Sequence, residues 1–253
     1  MQNIFQQRLA AGETLYGGWF MSGSATVLEA MACAGYDHVV IDMEHGPVNI
    51  HALRDLLNAC VAGGSLPVVR MPDQDPTKIK HALDLGALNL VFPYVNTRAE
   101  AEAIVRACYY PPKGERGYAR MHRGSRYTTD GEYVTKVNEH VQVIMQIETP
   151  EAMARHDEIL SVPGVTGALF GPGDFAMCLG LQGDVSHPKV REAMAELGRY
   201  CQAKGLALGT VMPNPEAVKW AVAAGYGFVS MASDMGLMMG AMRSGLAECR
   251  NRQ

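Results

Sequence analysis

The sequence predicts a single (β/α)8 barrel spanning residues 1–253, and three observations carry that reading. Eight short apolar runs alternate with longer amphipathic stretches, the strand–helix order of a parallel α/β protein. The length, 253 residues, suits a barrel of this kind, which uses roughly 250 residues as one domain. No Gly-x-Gly-x-x-Gly turn follows the first run, which argues against a doubly wound dinucleotide-binding sheet and against NAD as cofactor.

Taken in order, the strands are expected over Leu15 to Phe20, His38 to Asp42, Pro67 to Arg70, Leu88 to Phe92, Val141 to Ile147, Thr166 to Gly171, Leu206 to Val211 and Phe228 to Met231. Helix starts are signalled by Asp75-Pro76, by the capping box Thr97-x-x-Glu100 and by Thr149-Pro150-Glu151. Gly35, Gly86, Gly205 and Gly225 mark helix ends just before the next strand. One connection, roughly Tyr109 to His140, is far longer than the few residues usual between elements and reads as a functional or partner-contacting loop. It holds Pro111-Pro112-Lys113-Gly114, then Arg116, Arg120, His122, Arg123 and Arg126.

Composition narrows the function classes. A hydrophobic content of 48% excludes disorder. Lys plus Arg number 22 against 26 Asp plus Glu, and no basic run appears, so nucleic acid is not an expected partner. No apolar stretch approaches a membrane span, and MQNIFQQRLAAGETL lacks the pattern of a signal peptide. A cytoplasmic protein that handles small molecules is the expectation. The six cysteines are scattered, without zinc-site spacing, and read as reduced thiols.

In such a barrel the chemistry sits at the C-terminal ends of the strands. Strand two runs into Met43-Glu44-His45-Gly46-Pro47, which puts His45 just past a strand end with Asp42 close enough to orient its ring. Arg70 ends an apolar strand, so it is either paired with a neighbouring carboxylate or aimed at an anion. Alternation places Gln146 and Glu148 on the inward face with Ile144, and Gly171-Pro172-Gly173-Asp174 delivers Asp174 beyond the next strand. Either acid alone reads as an ordinary solvated loop carboxylate. As a pair from adjacent strand ends they suit a shared Mg2+ or Mn2+ ion. Trp19 stands at the end of strand one as core or pocket wall, and Met235, Leu237, Met238, Met239 and Met242 read as core or subunit contact. All seven lysines fall in helices or connections, so Schiff-base chemistry, PLP included, is not expected.

The ensemble GGW, AGYDHVVIDMEHGP, PVVRMP, DPTKIKHALDLGA, YPPKGERG, QIETPEAM, GPGD and the closing SD of VSMASD resembles the metal-dependent pyruvate aldolases, typified by 4-hydroxy-2-oxoheptanedioate aldolase and 2-dehydro-3-deoxyglucarate aldolase. The resemblance runs along essentially the whole chain. It implies a barrel assembled as a hexamer, a trimer of dimers, whose last helix is packed on or exchanged with a partner subunit. It also implies reversible cleavage of a 4-hydroxy-2-oxo acid to pyruvate and an aldehyde, through an enolate stabilised by Mg2+, Mn2+ or Co2+. Carried over, His45 is the acid/base, Arg70 the enolate-stabilising cation, and Glu148 with Asp174 the metal ligands. Gln146 and the backbone of Gly173 and Asp174 hold the pyruvate unit. Asp84 matches an aspartate that raises the basicity of the histidine of a neighbouring chain. Gly173 stands where relatives often carry Ala or Ser, and residues Arg116 to Tyr127 depart more from the pattern, which leaves the aldehyde open. Two other readings remain: a decarboxylase of oxaloacetate-like acids or a carbon–carbon bond-forming synthase, and a catalytically silent barrel that binds a small acid.

Overall fold

The fold is known from a computed structural model that describes residues 2–250. Eight parallel strands, β1 (Leu15–Phe20), β2 (His38–Asp42), β3 (Leu66–Arg70), β4 (Asn89–Phe92), β5 (Gln142–Ile147), β6 (Gly167–Phe170), β7 (Ala207–Met212) and β8 (Phe228–Ser233), close in sequence order into a barrel. Helices α2 (Ala25–Cys33), α3 (Ile50–Ala62), α4 (Pro76–Asp84) and α5 (Arg98–Cys108) return the chain between the first strands. After them come α6 (Tyr133–His140), α7 (Pro150–Ala154), α8 (His156–Leu160), α9 (Pro172–Cys178), α10 (Pro188–Lys204) and α11 (Pro215–Ala223). The chain opens with α1 (Ile4–Ala10) and ends in α12 (Asp234–Arg250).

Local chemistry sets the helix starts as expected. Asp75 accepts the Thr77 N–H at 2.7 Å, Thr97 and Glu100 form the reciprocal capping box, and Thr149 accepts the Ala152 N–H at 3.0 Å. Strand limits shift by one or two residues, β8 running on to Ser233 where Met231 was the expected end, and three further features differ from the reading of the sequence. The long connection is not all loop, because α6 occupies its end and buries Tyr133 and Val137. The stretch after Thr149 breaks at Arg155, whose ψ of 18° leaves the helical region, so two short helices replace one. The sixth strand ends at Phe170, and Gly171 caps α9 instead of closing the strand.

Two cores result. The larger lies between the barrel and its helices, and the smaller fills the barrel with Trp19, Val40, Val68, Val91, Ile144, Leu169 and Phe228. Helix α1 plugs the strand-start end. Phe5 meets Phe228 and His38 edge to face at 5.2 and 5.9 Å, and Asn3 ties the helix to Asn89 Oδ1 at 2.8 Å. The large rings find room over strand glycines: a Cβ on Gly17 would fall 2.3 Å from the His38 ring, and one on Gly209 2.1 Å from Phe228.

Helix α12 behaves differently. Asp234 at its start accepts the N–H groups of Met21 and Ser22 at 2.9 and 3.0 Å, which anchors the helix to the loop after β1. Beyond that residue none of its side chains is buried, and Met235, Leu237, Met238, Met239, Met242 and Leu246 are 40–59% exposed. No helix among the described residues is long and apolar enough to cross a membrane.

Candidate active site

The register of β2 against β3 sets Asp42 opposite Arg70, so both side chains leave the barrel mouth together. Arg70 donates to Asp42 through Nε at 3.0 Å and Nη2 at 2.6 Å, while its Nη1 lies 2.8 Å from Glu44 Oε2. The Trp19 indole N–H adds a bond to Asp42 Oδ2 at 3.1 Å, and the guanidinium lies 4.8 Å from the Trp19 ring centre. Burial opposes ionisation of Asp42, but the bonds and charge of Arg70 outweigh it and hold the carboxyl below its ordinary range. Trp19 therefore supports this lock as well as filling the core. Arg70 is thus paired with neighbouring carboxylates, the first of its two expected alternatives, and its guanidinium still stands at the barrel mouth.

Asp42 also accepts the backbone N–H groups of Glu44 and His45 at 3.0 and 3.2 Å. This differs from the expected role of orienting the imidazole. The carboxylate is committed to Arg70, Trp19 and the turn, so it fixes where His45 leaves the strand instead of touching its ring. The His45 side chain is exposed and makes no hydrogen bond among the described residues.

Across the mouth, β5 presents Gln146 and Glu148. Glu148 is 1% exposed; its Oε1 accepts the Tyr94 N–H at 2.7 Å and its Oε2 the Gln146 side-chain amide. Burial pushes its carboxyl up to about 7 against those bonds, and the neighbouring Asp174 and Glu44 raise it further. Glu44 is itself raised, first by burial, with Arg70 in opposition. Asp174, in the first turn of α9, receives the Tyr94 hydroxyl at 3.5 Å. Gly171 lets Glu148 sit close, since a Cβ there would fall 2.8 Å from Oε2. Gly173, by contrast, faces open space: nothing lies within 4 Å of an added Cβ.

This donor set fits a hard divalent cation. Among the described residues Glu148 is a buried carboxylate with no basic partner, Asp174 adds a second carboxylate, and the buried Gln146 Oε1 has no partner. No three His, Cys, Asp or Glu side chains converge as a ready cage among the described residues. Two carboxylates with the remaining positions left to water and substrate oxygens is the manner in which Mg2+ is commonly held.

The structure thus brings Trp19, Asp42, His45, Arg70, Gln146, Glu148, Gly173 and Asp174 to the C-terminal ends of the strands. Asp84 is not among them. It lies in the last turn of α4, at the opposite end of its own barrel, bonded to Arg116 at 2.6 Å. Two residues escaped the reading of the sequence. Glu44 was visible in the same loop as His45, but nothing in the sequence signals its contact with Arg70. Tyr94 owes its place to a left-handed backbone, φ 52°, unusual for a non-glycine residue and typical of strained functional turns.

Comparison with known proteins shows the family and the fold. A model of the family described as HpcH/HpaI aldolase/citrate lyase matches residues 15–241. The chain is 40% identical over 237 residues to 2-dehydro-3,6-dideoxy-6-sulfogluconate aldolase of Pseudomonas putida, covering 94% of this chain and 93% of that one. It is 34% identical over 239 residues, with the same coverage, to 5-keto-4-deoxy-D-glucarate aldolase of Shigella dysenteriae serotype 1 (strain Sd197). A crystal structure of a family member from Burkholderia cenocepacia J2315 superposes with a TM-score of 0.93 at 36% identity, over 98% of this chain and 100% of that one.

Proposed function

The chain belongs to the HpcH/HpaI aldolase/citrate lyase family, and from that premise we propose that it is a divalent-metal-dependent pyruvate aldolase of the cytoplasm. It cleaves a 4-hydroxy-2-oxo acid reversibly to pyruvate and an aldehyde. The observation that carries this reading is the buried Glu148 carboxylate, without a basic partner among the described residues, beside Asp174 in the mouth that also holds the Arg70–Asp42 lock.

Glu148 and Asp174 would hold the ion. When bound, Mg2+, Mn2+ or Co2+ supplies Lewis acidity that makes the carbon beside a keto group acidic. Gln146 and the backbone of Gly173 and Asp174 orient the acid end of the substrate. His45, whose ring is unencumbered, takes the proton of the C4 hydroxyl; the C3–C4 bond breaks and its electron pair passes into the enolate. Arg70, already fixed by Asp42 and Glu44, faces the growing negative charge without reorganising. Protonation at C3 then releases pyruvate, and the remaining fragment leaves as the aldehyde.

The site is shared between subunits in this reading. A carboxylate beside an imidazole favours its protonated form and raises its basicity. Asp84 stands at the wrong end of its own barrel to act on its own His45, so a second copy must present it. The apolar, uncovered α12 supports assembly of the same kind, with that helix lying on a neighbour in a hexamer built as a trimer of dimers.

The test is a retro-aldol screen coupled to pyruvate detection, over a panel that includes the sugar acids for which the two relatives are named. Activity should vanish on chelation and return with Mg2+, Mn2+ or Co2+, and borohydride with pyruvate should not label the protein. Activity that survives exhaustive chelation refutes the metal assignment. Because the family description also covers citrate lyase, oxaloacetate belongs in the panel: its turnover to the exclusion of every 4-hydroxy-2-oxo acid would mark a decarboxylase.

A further inference from the structure

The segment Pro111–Gly117, PPKGERG, takes no part in the reaction as described, yet its arginine is among the most completely buried cations of the fold. Arg116 is 3% exposed. Its Nη2 donates to Asp84 Oδ1 at 2.6 Å and to the Tyr133 hydroxyl at 3.2 Å, and the guanidinium lies 4.3 Å from the Tyr110 ring centre. A buried guanidinium is costly without a counter-charge. Asp84 is its one carboxylate partner among the described residues. The pair is therefore strongly coupled, and the rotamer of Asp84 is set from inside its own subunit.

The rest of the connection grips the same helix end. The Gly124 N–H donates to the Asp84 carbonyl at 2.8 Å, His122 Nδ1 lies 3.2 Å from that oxygen, and Arg123 donates to the Leu85 carbonyl. A Cβ on Gly124 would fall 2.8 Å from the Leu83 carbonyl, so the loop lies directly against the helix. In contrast, Asp84 Oδ2 carries no hydrogen bond among the described residues, and the side chain is 19% exposed. It borders a cavity of about 610 Å³ lined also by His51, Arg54, His81 and Tyr127. One oxygen is pinned from within while the other is turned outward.

We propose that Arg116 is a positioning residue, which pins Asp84 Oδ1 so that Oδ2 is presented to the His45 imidazole of another subunit. The inference rests on the shared-site reading above. It explains why a long connection packs an arginine against α4, far from the mouth of its own barrel. Orientation is the product of this arrangement, because a free helix-end aspartate would sample several rotamers and Arg116 leaves it one. Lysine does not substitute well: it lacks the planar fork and the stacking surface for Tyr110.

Mixed oligomers and a mutant cycle test it, with Mg2+ present and pyruvate release as the readout. Arg116→Met should lower kcat/KM about as much as Asp84→Ala, on the order of 10-fold or more, and the double variant should be no worse than Asp84→Ala alone. Arg116 should also fall in the complementation group of Asp84. Arg116→Met chains co-assembled with His45→Ala chains should regain activity, since about a quarter of the sites in a random mixture pair an intact His45 with an intact Asp84–Arg116 unit. Arg116→Met with Asp84→Ala should regain nothing, because no chain then carries the whole unit. Additive losses, or recovery with Asp84→Ala but not with His45→Ala, would overturn the proposal. Should Arg116→Met fail to assemble, Arg116→Lys is read by the same criteria. If His45→Ala and Asp84→Ala chains do not rescue each other in verified mixed oligomers, the shared site itself is what fails, and the positioning role falls with it.

Discussion

The two ends of the barrel interior are made by the same strands and the same alternation, yet they bury opposite chemistry. The floor is a ring cluster of Phe5, Phe228 and a neutral His38, laid over Gly17 and Gly209. The mouth buries Asp42, Arg70 and Glu148, groups that cost free energy to take out of water and are only partly compensated. Asp42 and Arg70 satisfy each other; Glu148 has hydrogen bonds but no basic side chain beside it among the described residues. The difference teaches where this fold keeps its stability and where it spends it. Substitutions at the floor should change stability without changing what a folded molecule does, whereas substitutions of the polar groups at the mouth should change the chemistry first.

The strongest way to break that comparison is Glu148→Gln. The carboxamide oxygen introduced there can still accept the Tyr94 N–H, and the Gln146 amide can turn so that its Oε1 accepts the new amide N–H, which leaves the Gln146 NH2 where Oε1 stood and so adds no buried polar group without a partner beyond the one already there. Activity should fall roughly 1,000-fold or more with loss of a metal ligand. Stability should move the other way. The folded carboxyl titrates near 7, above its ordinary 4.5, so ionisation disfavours the metal-free fold increasingly as pH rises from 4.5 through 7. At pH 8 in chelator, the variant should gain about 1–3 kcal/mol in urea melts. A destabilised variant would show that Glu148 is a structural acid.

The floor predicts a pH dependence of opposite origin. Burial pushes His38 from 6.5 down to about 4, its Nε2 lies 3.2 Å from Ser230 Oγ, and its Nδ1 has no partner among the described residues. Because the folded value is depressed, the unfolded chain takes up the proton first. Stability is fully present above pH 6.5 and is lost as pH falls through 4. The loss should approach about 3 kcal/mol between pH 7 and pH 4. His38→Met, of similar volume and without a charge, should flatten that part of the urea profile while activity per folded molecule is kept. An unchanged profile would move the acid sensitivity elsewhere.

How far the sequence foretold each end follows from the same contrast. The strand limits, the caps at Asp75, Thr97 and Thr149, and the inward face of Gln146 and Glu148 depend on period and local bonding, and both are written in neighbouring residues. Helix α6 was hidden because its buried Tyr133 answers to Arg116, a contact beyond any one-turn window. The Arg70–Glu44 pair and the Tyr94 bond to Glu148 depend on strand register and on a left-handed residue, which no spacing rule encodes. Asp84 entered only through the resemblance; its bond to Arg116 spans 32 residues and is invisible to any local window.

The comparison sharpens to its finest grain at two glycines of one turn. Gly171 and Gly173 are two positions apart, and neither has positive φ, so replacement by alanine is not opposed by the backbone itself. The space around them differs. A Cβ at Gly171 would fall 2.7 Å from Glu148 Cβ and 2.8 Å from Oε2, both within the site. Gly171→Ala must therefore push Glu148 away from Tyr94, at a cost of roughly 1–3 kcal/mol and with metal affinity, read by calorimetry, weakened about 10-fold. At Gly173 the added methyl meets nothing within 4 Å, and alanine lowers the entropy of the unfolded chain. Gly173→Ala should stabilise by up to about 1 kcal/mol and leave metal affinity unchanged. It should shift pyruvate KM less than about threefold if, as proposed, only the backbone there meets the substrate. Equal effects of the two substitutions on metal affinity would show that the close packing of Gly171 against Glu148 does not govern the cation site.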